Sequence, residues 1–464
     1  MTFRLLLALS LTAFTSAEEK PNILFLLADD QDWAGLSVAM HPDVPGSKSL
    51  TFQTPNLEKF AAQSIRFSAA YAPSPVCSPT RISLQTGMTC ARLQWTKAAP
   101  VLTAADGYKL IPPVHRKAIR EDETTIAEVL KTAGYATAHY GKWHLSGGGP
   151  EQHGYDESDG DTGNEQSGRF KGYNPVDIYG MGTRAAAFME KSNEAGKPFF
   201  IQMSYNALHS PENASPESIA KFTALMPNSP ERIIQRAALT YDLDAGVGKL
   251  LADLDALGLR ENTYVIYMSD NGGAGGGSRG NPTLRGGKGD LWEGGIRVPL
   301  IIRGPGISPD SWCHQRTVGF DLFPTFCAIA GVGTLPENLE GGSILSQLHG
   351  STAPIKRPRE ELVFHFPHYQ GDTPHSAIYL GDYKLLHFYE TGENQLFNIT
   401  SDIGEKSDIA KDLPEITSDL AKKLTTNLTE AKAQLPTENP QAIPGKTYVM
   451  AKGGGKKRPG GKRR

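Results

Sequence analysis

Six short polar segments of the 464-residue chain carry residue types that can do chemistry together. Asp29-Asp30 and the distant Asp270-Asn271 offer hard oxygen donors, a set suited to calcium or magnesium rather than to zinc, whose sites favour His and Cys. An isolated Asp-Asp after a strand more often caps a helix or sits in a solvated turn, so it is the second pair that points to a metal. Arg81, Lys142 and Lys288 can surround an anionic group, each such preorganised donor being worth about 3 kcal/mol to a transition state. Cys77, in Cys77-Ser78-Pro79-Thr80-Arg81, is a candidate nucleophile, weak unless activated. His144, in Gly141-Lys142-Trp143-His144-Leu145, and His209, in Ala207-Leu208-His209-Ser210-Pro211, are candidate proton-transfer groups, although a lone histidine is usually structural.

The elements that must position these groups are legible in the apolar pattern. Continuously apolar, β-rich runs at 23–28, 136–140, 199–204 and 264–268 predict buried strands. Helices are expected at 54–63, with Thr54 as cap and Pro55 in the first turn, at 125–133, stopped by Gly134, and at 232–257, stopped by Gly258. The alternation predicts an α/β fold with a mostly parallel sheet, in which ligands gather beyond the carboxyl ends of the strands. Asp29-Asp30, Gly141 to His144, Asn206 to His209 and Asp270-Asn271 each follow one of the four strands, which implies one composite site. Further runs at 362–366, 377–380, 383–388 and 395–399 predict a short antiparallel sheet, followed by a helix at 416–433. The expected division is 18–355, 356–436 and a basic, Gly/Lys-rich disordered tail at 437–464.

Cys77-Ser78-Pro79-Thr80-Arg81, continuing Ile82-Ser83-Leu84-Gln85-Thr86-Gly87, resembles the signature of the type I sulfatases, the formylglycine-dependent arylsulfatase family of the alkaline-phosphatase-like superfamily. Gly141 to Leu145 and Trp292 to Pro299 are similar to the family as well, and the likeness runs from about Asn22 to Leu413. It implies a large mixed, mostly parallel sheet flanked by helices, with a smaller C-terminal α+β domain. It implies that a formylglycine-generating maturation enzyme oxidises Cys77, and that one calcium ion, with magnesium less suited, is held by Asp29, Asp30, Cys77 as formylglycine, Asp270 and Asn271. The hydrated aldehyde would supply the nucleophilic oxygen, and its second hydroxyl would let the ester collapse to aldehyde and expel sulfate. On this likeness Arg81 and Lys142 serve the diol and its metal surroundings, Lys288 the sulfate and leaving oxygen, His144 proton removal during sulfate release, and His209 protonation of the leaving alcohol.

Other features bound the function. Residues 272–289 hold nine glycines but do not make a phosphate-binding loop, because Gly287-Lys288 is followed by Gly289 and not by Ser or Thr. The following Trp292-Glu293-Gly294-Gly295-Ile296-Arg297 is read as structural, with glycine for close backbone approach. Composition, 39% hydrophobic and 21% charged, is that of a globular protein. Residues 18–451 carry 39 basic against 50 acidic side chains, net −11, which argues against a nucleic-acid partner. Residues 1–17 have the three regions of a secretory signal peptide, with cleavage expected after Ala17 and export to the periplasm or beyond; an uncleaved anchor is the alternative. That apolar run is about half of the roughly 20 residues a membrane span needs, and no later segment qualifies. Cys313 and Cys327 either pair or are two buried thiols, and His365, His368 and His375 either line a substrate rim or sit idle at exposed strand ends. The reading is an exported sulfatase acting on a sulfated carbohydrate through a formylglycine-sulfate intermediate. A phosphonate or phosphate ester hydrolase, and a non-catalytic secreted protein that binds sulfated glycans, remain open at this point.

Overall fold

The computed structural model describes residues 19–170, 172–274 and 283–449. The expected signal peptide, part of the glycine-rich stretch and the last residues of the basic tail lie outside them.

Eight strands make the main sheet: β1 (Asn22–Ala28), β2 (Ile65–Phe67), β3 (Ala136–Gly141), β4 (Glu157–Ser158), β5 (Phe199–Ser204), β6 (Thr263–Ser269), β7 (Leu300–Arg303) and β8 (Ser311–Cys313). Their spatial order is β8-β2-β7-β6-β1-β5-β3-β4. β7 runs antiparallel to β2 and β6, while the other pairs are parallel. Along β1, Leu24, Leu26 and Ala28 face one core with the helices Ile178–Glu194 and Glu231–Ala256. Ile23, Phe25 and Leu27 face the other with Ile126–Thr132 and Leu322–Ile329. Burial on both faces is why the strand sequences are apolar without alternation.

Thr125 starts its helix with a reciprocal capping box to Glu128, and Gly134 and Gly258 end theirs in the left-handed region. The expected cap at Thr54 does not form. Its hydroxyl instead accepts the Ser37 amide at 3.0 Å, and the amides of Asn56 and Leu57 go to the Asp244 carboxylate at 3.0 and 2.8 Å. A carboxylate from a packed helix has displaced the local cap.

The second sheet, β9 (Leu362–Phe366), β10 (His375–Leu380), β11 (Tyr383–Phe388) and β12 (Asn394–Asn398), is an antiparallel meander. One face packs Phe364, Tyr379 and Phe397 on Tyr71 and Trp292 of the main body. The other packs Ile378 and Leu385 under the helix Pro414–Glu430. The three histidines of this region belong neither to a rim nor to exposed ends. His365 is buried between Ser376 and the Gln434 carbonyl, His368 bonds Thr96 at 2.8 Å, and His375 accepts the Leu291 amide at 2.8 Å. Residues 437–449, expected to begin a disordered tail, instead follow a bonded path. Thr437–Glu438 pairs with Leu110–Ile111, Asn439 donates to two carbonyls, and Tyr448 packs on Tyr108 and Tyr369. All four cysteines are buried free thiols, Cys313 and Cys327 included. No described helix is long and apolar enough to cross a membrane.

A buried ionic network joins the two sheets. Glu293, fully enclosed, accepts from Arg297 at 2.7 Å, Lys384 at 3.1 Å, Tyr71 at 3.0 Å and Tyr379, and Lys384 also meets Glu405 at 2.6 Å. Removing one member of such a network leaves a buried charge without its partner, a loss of about 3–5 kcal/mol. Lys384→Met is therefore expected to lower the thermal midpoint by several degrees, read by calorimetry; an unchanged midpoint would show that the network adds nothing to stability.

Candidate active site

The parallel register assembles the site. Ala28 lies opposite Ser269 and Gly141 opposite Ser204, so the next residues, Asp29, Asp270 and Lys142, leave the sheet along one edge. The Asp270 amide still reaches the Ala28 carbonyl at 3.0 Å, and that of Lys142 reaches Ser204 at 2.7 Å. The helix Cys77–Thr86 presents its N-terminus to the same edge, with Cys77 in its first turn. Its unpaired amides and dipole favour negative charge there, and Pro79 costs nothing where no intrahelical amide bond is required.

All the residues expected at one centre, apart from the two histidines, are linked by short contacts. Cys77 Sγ lies 3.4 Å from Asp29 Oδ1 and 3.4 Å from Lys288 Nζ. Lys142 Nζ pairs with Asp29, Lys288 Nζ with Asp30 at 2.6 Å, and Arg81 with Asp270 through Nε at 3.1 Å and Nη2 at 2.7 Å. Asn271 Nδ2 donates to Asp30 Oδ1 at 2.8 Å, whereas its Oδ1 is buried with no hydrogen-bond partner among the described residues. Ligand atoms of Asp29, Asp30, Cys77 and Asp270 all lie within 4.8 Å of one another.

Electrostatics follow from that packing. Burial alone would raise the Asp29 carboxyl, but Lys142, His209, Arg81 and Lys288 hold it well below the usual range. Burial, with Asp29 beside it, pushes Asp270 up to about 6 despite Arg81. Burial, Asp270 and Asp29 push the Cys77 thiol far up, so the unmodified thiol stays protonated and is a poor nucleophile. His144 stands in the left-handed region at φ 59°, with Nδ1 buried and unpartnered. Burial, with Lys142 and Arg81 near, pushes its ring down to about 2, so it is neutral. His209 is half-buried, with Nδ1 2.7 Å from the Ser210 carbonyl. Burial lowers it while Asp29 pulls the other way.

One contributor carried no sequence signal. Arg236, buried in the helix Glu231–Ala256, donates to the backbone carbonyls of Asp30 and Leu208 and to Glu212 at 3.2 Å. It braces the two loops that carry Asp30 and His209. Nothing in a helical pattern sets such an arginine apart from one that points to solvent.

Three carboxylates beside a protonated thiol, a helix N-terminus and three cations make a centre for an anionic ester. Residues 21–332 match the family described as Sulfatase. The chain belongs to the sulfatase family. Residues 287–434 of this sulfatase also match the family described as N-sulphoglucosamine sulphohydrolase, C-terminal. It is 30% identical to arylsulfatase A of Homo sapiens over 83% of this chain and 78% of that protein. It is likewise 30% identical to N-acetylgalactosamine-6-sulfatase of Canis lupus familiaris, over 83% and 76%. The fold superposes on the crystal structure of Ps i-CgsB in complex with k-i-k-neocarrahexaose with a TM-score of 0.72 and 26% identity, covering 91% and 94% of the two chains. The sulfatase is thus a sulfuric ester hydrolase of type I with the alkaline-phosphatase-like fold expected from its sequence.

Arg236→Met is expected to reduce kcat on a small aryl sulfate by about 10–100-fold, the usual cost of losing a brace behind an active centre. Circular dichroism would confirm the fold, and turnover within a factor of about two of the parent would refute the bracing role.

Proposed function

We propose that this sulfatase removes sulfate from a sulfated carbohydrate, using Cys77 converted to formylglycine and one calcium ion, through a formylglycine-sulfate intermediate. The observation that carries the reading is the donor cluster around Cys77, in which the carboxylates of Asp29, Asp30 and Asp270 converge with the unpartnered Oδ1 of Asn271. These are hard oxygens, a donor set that fits calcium and, less well, magnesium. The three carboxylates are matched by Arg81, Lys142 and Lys288, so a divalent ion would leave the centre with net positive charge for an anionic sulfate. When bound, the ion supplies Lewis acidity at a sulfate oxygen and at the oxygen on residue 77.

The chain's own groups divide the remaining work. The Cys77 sulfur holds the place of the formylglycine oxygens, at the helix N-terminus and 3.4 Å from Lys288. Lys288 holds the sulfate and the leaving oxygen, while Lys142, paired with Asp29, and Arg81, bonded to the Lys142 carbonyl at 2.6 Å as well as to Asp270, serve the diol and its metal surroundings. His144, whose buried Nδ1 has no hydrogen-bond partner among the described residues, is assigned the proton whose loss returns residue 77 to the aldehyde. His209, its Nδ1 oriented by the Ser210 carbonyl, keeps Nε2 for the leaving oxygen. The negative sulfate would draw this ring toward its protonated form. Support for a carbohydrate substrate comes from the sugar sulfatases among the relatives and from the neocarrahexaose complex. Export, with cleavage near Ala17 and maturation by a formylglycine-generating enzyme, completes the proposal.

Mass spectrometry of the tryptic peptide 67–81, from protein made in a host with the maturation enzyme, is expected to show an aldehyde at residue 77. Cys77→Ala is expected to abolish sulfate release from a panel of defined sulfated sugars. An intact thiol in active protein would overturn the nucleophile, and turnover of aryl sulfates alone would overturn the substrate.

His209→Ala separates the proton donor from the rest. A sugar hydroxyl is a poor leaving group and nitrophenolate a good one, so kcat is expected to fall about 100-fold or more on the sugar sulfate and far less on 4-nitrophenyl sulfate. Equal losses on both would remove His209 from that role.

A further inference from the structure

A cavity of about 530 Å³ opens beside the centre, lined by Ser78 and His144 together with Lys97, His115, Lys117 and Val114. Among the described residues no Asp or Glu lines it, in a body that is otherwise acidic. Lys97 is 4% exposed. Its ammonium donates to Gln370 Oε1 and, at 3.4 Å, to the Tyr369 carbonyl, and it lies 5.1 Å from the Phe366 ring. None of these partners carries a charge. The two other fully buried lysines of the described chain each have carboxylates, Lys142 with Asp29 and Lys384 with Glu293 and Glu405. A buried cation is normally paired, because leaving water without a counter-charge is costly. An ammonium has three donors, and the described residues engage two of those of Lys97.

The cavity is part of the same assembly as the reaction centre. Ser78 follows Cys77 directly, and Gln370 packs on the loop of Lys288 so closely that a Cβ at Gly289 would stand 2.5 Å from its side chain. The Gly371 amide also bonds the Gly289 carbonyl at 2.8 Å. Gln370 therefore links Lys97 to the loop that carries Lys288.

We propose that Lys97 forms an anion-binding subsite for a second negatively charged group of the substrate, a uronate carboxylate or a further sulfate on the saccharide whose sulfate is cleaved. The proposal rests on the carbohydrate reading above and deepens it. Lys117 extends the basic wall, His115 lines it as a ring that burial and the nearby lysines hold toward the neutral form, and exposed Val114 offers an apolar edge to a sugar ring. Burial pushes Lys97 down to about 7, and an anion brought against it restores its charge. It acts on binding and touches no reacting atom.

The test compares the mature, calcium-loaded enzyme on four substrates: 4-nitrophenyl sulfate, a sulfated disaccharide with a neutral neighbour, and its counterparts bearing a uronate or a second sulfate. The expected result is a KM about tenfold or more lower for an anionic counterpart than for the neutral disaccharide, the uronate and sulfate arms showing which group is held. Lys97→Met and Lys97→Gln should remove that advantage by raising KM about tenfold with kcat little altered, and Lys97→Arg should retain most of it. Wild-type enzyme with no preference between neutral and anionic disaccharides would overturn the subsite while leaving the carbohydrate reading intact. So would equal loss in Lys97→Met on the aryl sulfate and on the disaccharides, the mark of a structural role. Failure to cleave any disaccharide beside rapid turnover of the aryl sulfate would overturn both. Should the variants fail to fold, the wild-type preference alone decides.

Discussion

Three carboxylates cannot be buried within a few ångströms of one another unless positive charge is buried with them. Asp29, Asp30 and Asp270 meet this condition through Lys142, Lys288 and Arg81, and the fold around them serves to keep that interleaving in place. In an interior of low polarity each pair is strong, and each is also intolerant of losing its partner. The balance explains why Asp29 stays ionised while Asp270, with Asp29 beside it, is pushed up.

The geometry that sustains this cluster is rigid backbone. Parallel pairing with aligned ends delivers Asp29, Lys142 and Asp270 to one edge, and a helix start delivers Cys77 to the same place. Lys288 is different, because it comes from a loop with no strand of its own. That loop is held by contact: a Cβ at Gly272 would stand 1.9 Å from the Gly294 carbonyl, and one at Gly295 would stand 2.0 Å from that of Asp290. The C-terminal sheet completes the support through the His375 bond to Leu291 and the Glu293–Lys384–Glu405 network. The second sheet thus helps hold the loop that places a cation of the main body.

Much of this was legible before the fold was known. The four strands after which site residues fall lie within one residue of their expected bounds, because runs apolar on both faces have few alternatives in an α/β chain. Asp29, Asp30, Cys77, Arg81, Lys142, Asp270, Asn271 and Lys288 come together as anticipated. The misreadings share one cause. Local chemistry alone misleads at Thr54, at the histidines of the second sheet and at residues 437–449, because each finds its partner elsewhere in the fold: Ser37 for Thr54, Thr96 for His368, Leu110–Ile111 for the last strand.

The sequence by itself determined the strand cores, the helix stops and the residue types at the centre, since these depend on periodicity and on motifs a few residues long. Tertiary structure alone decided which carbonyls Arg236 would brace, that His375 would be buried against the Lys288 loop, and that Lys97 would be enclosed without a carboxylate. The physical reason is that pairing and burial are properties of neighbours in space. A lysine in a sequence is charged and solvated by default, and only packing shows which of them has lost its water without gaining a counter-charge.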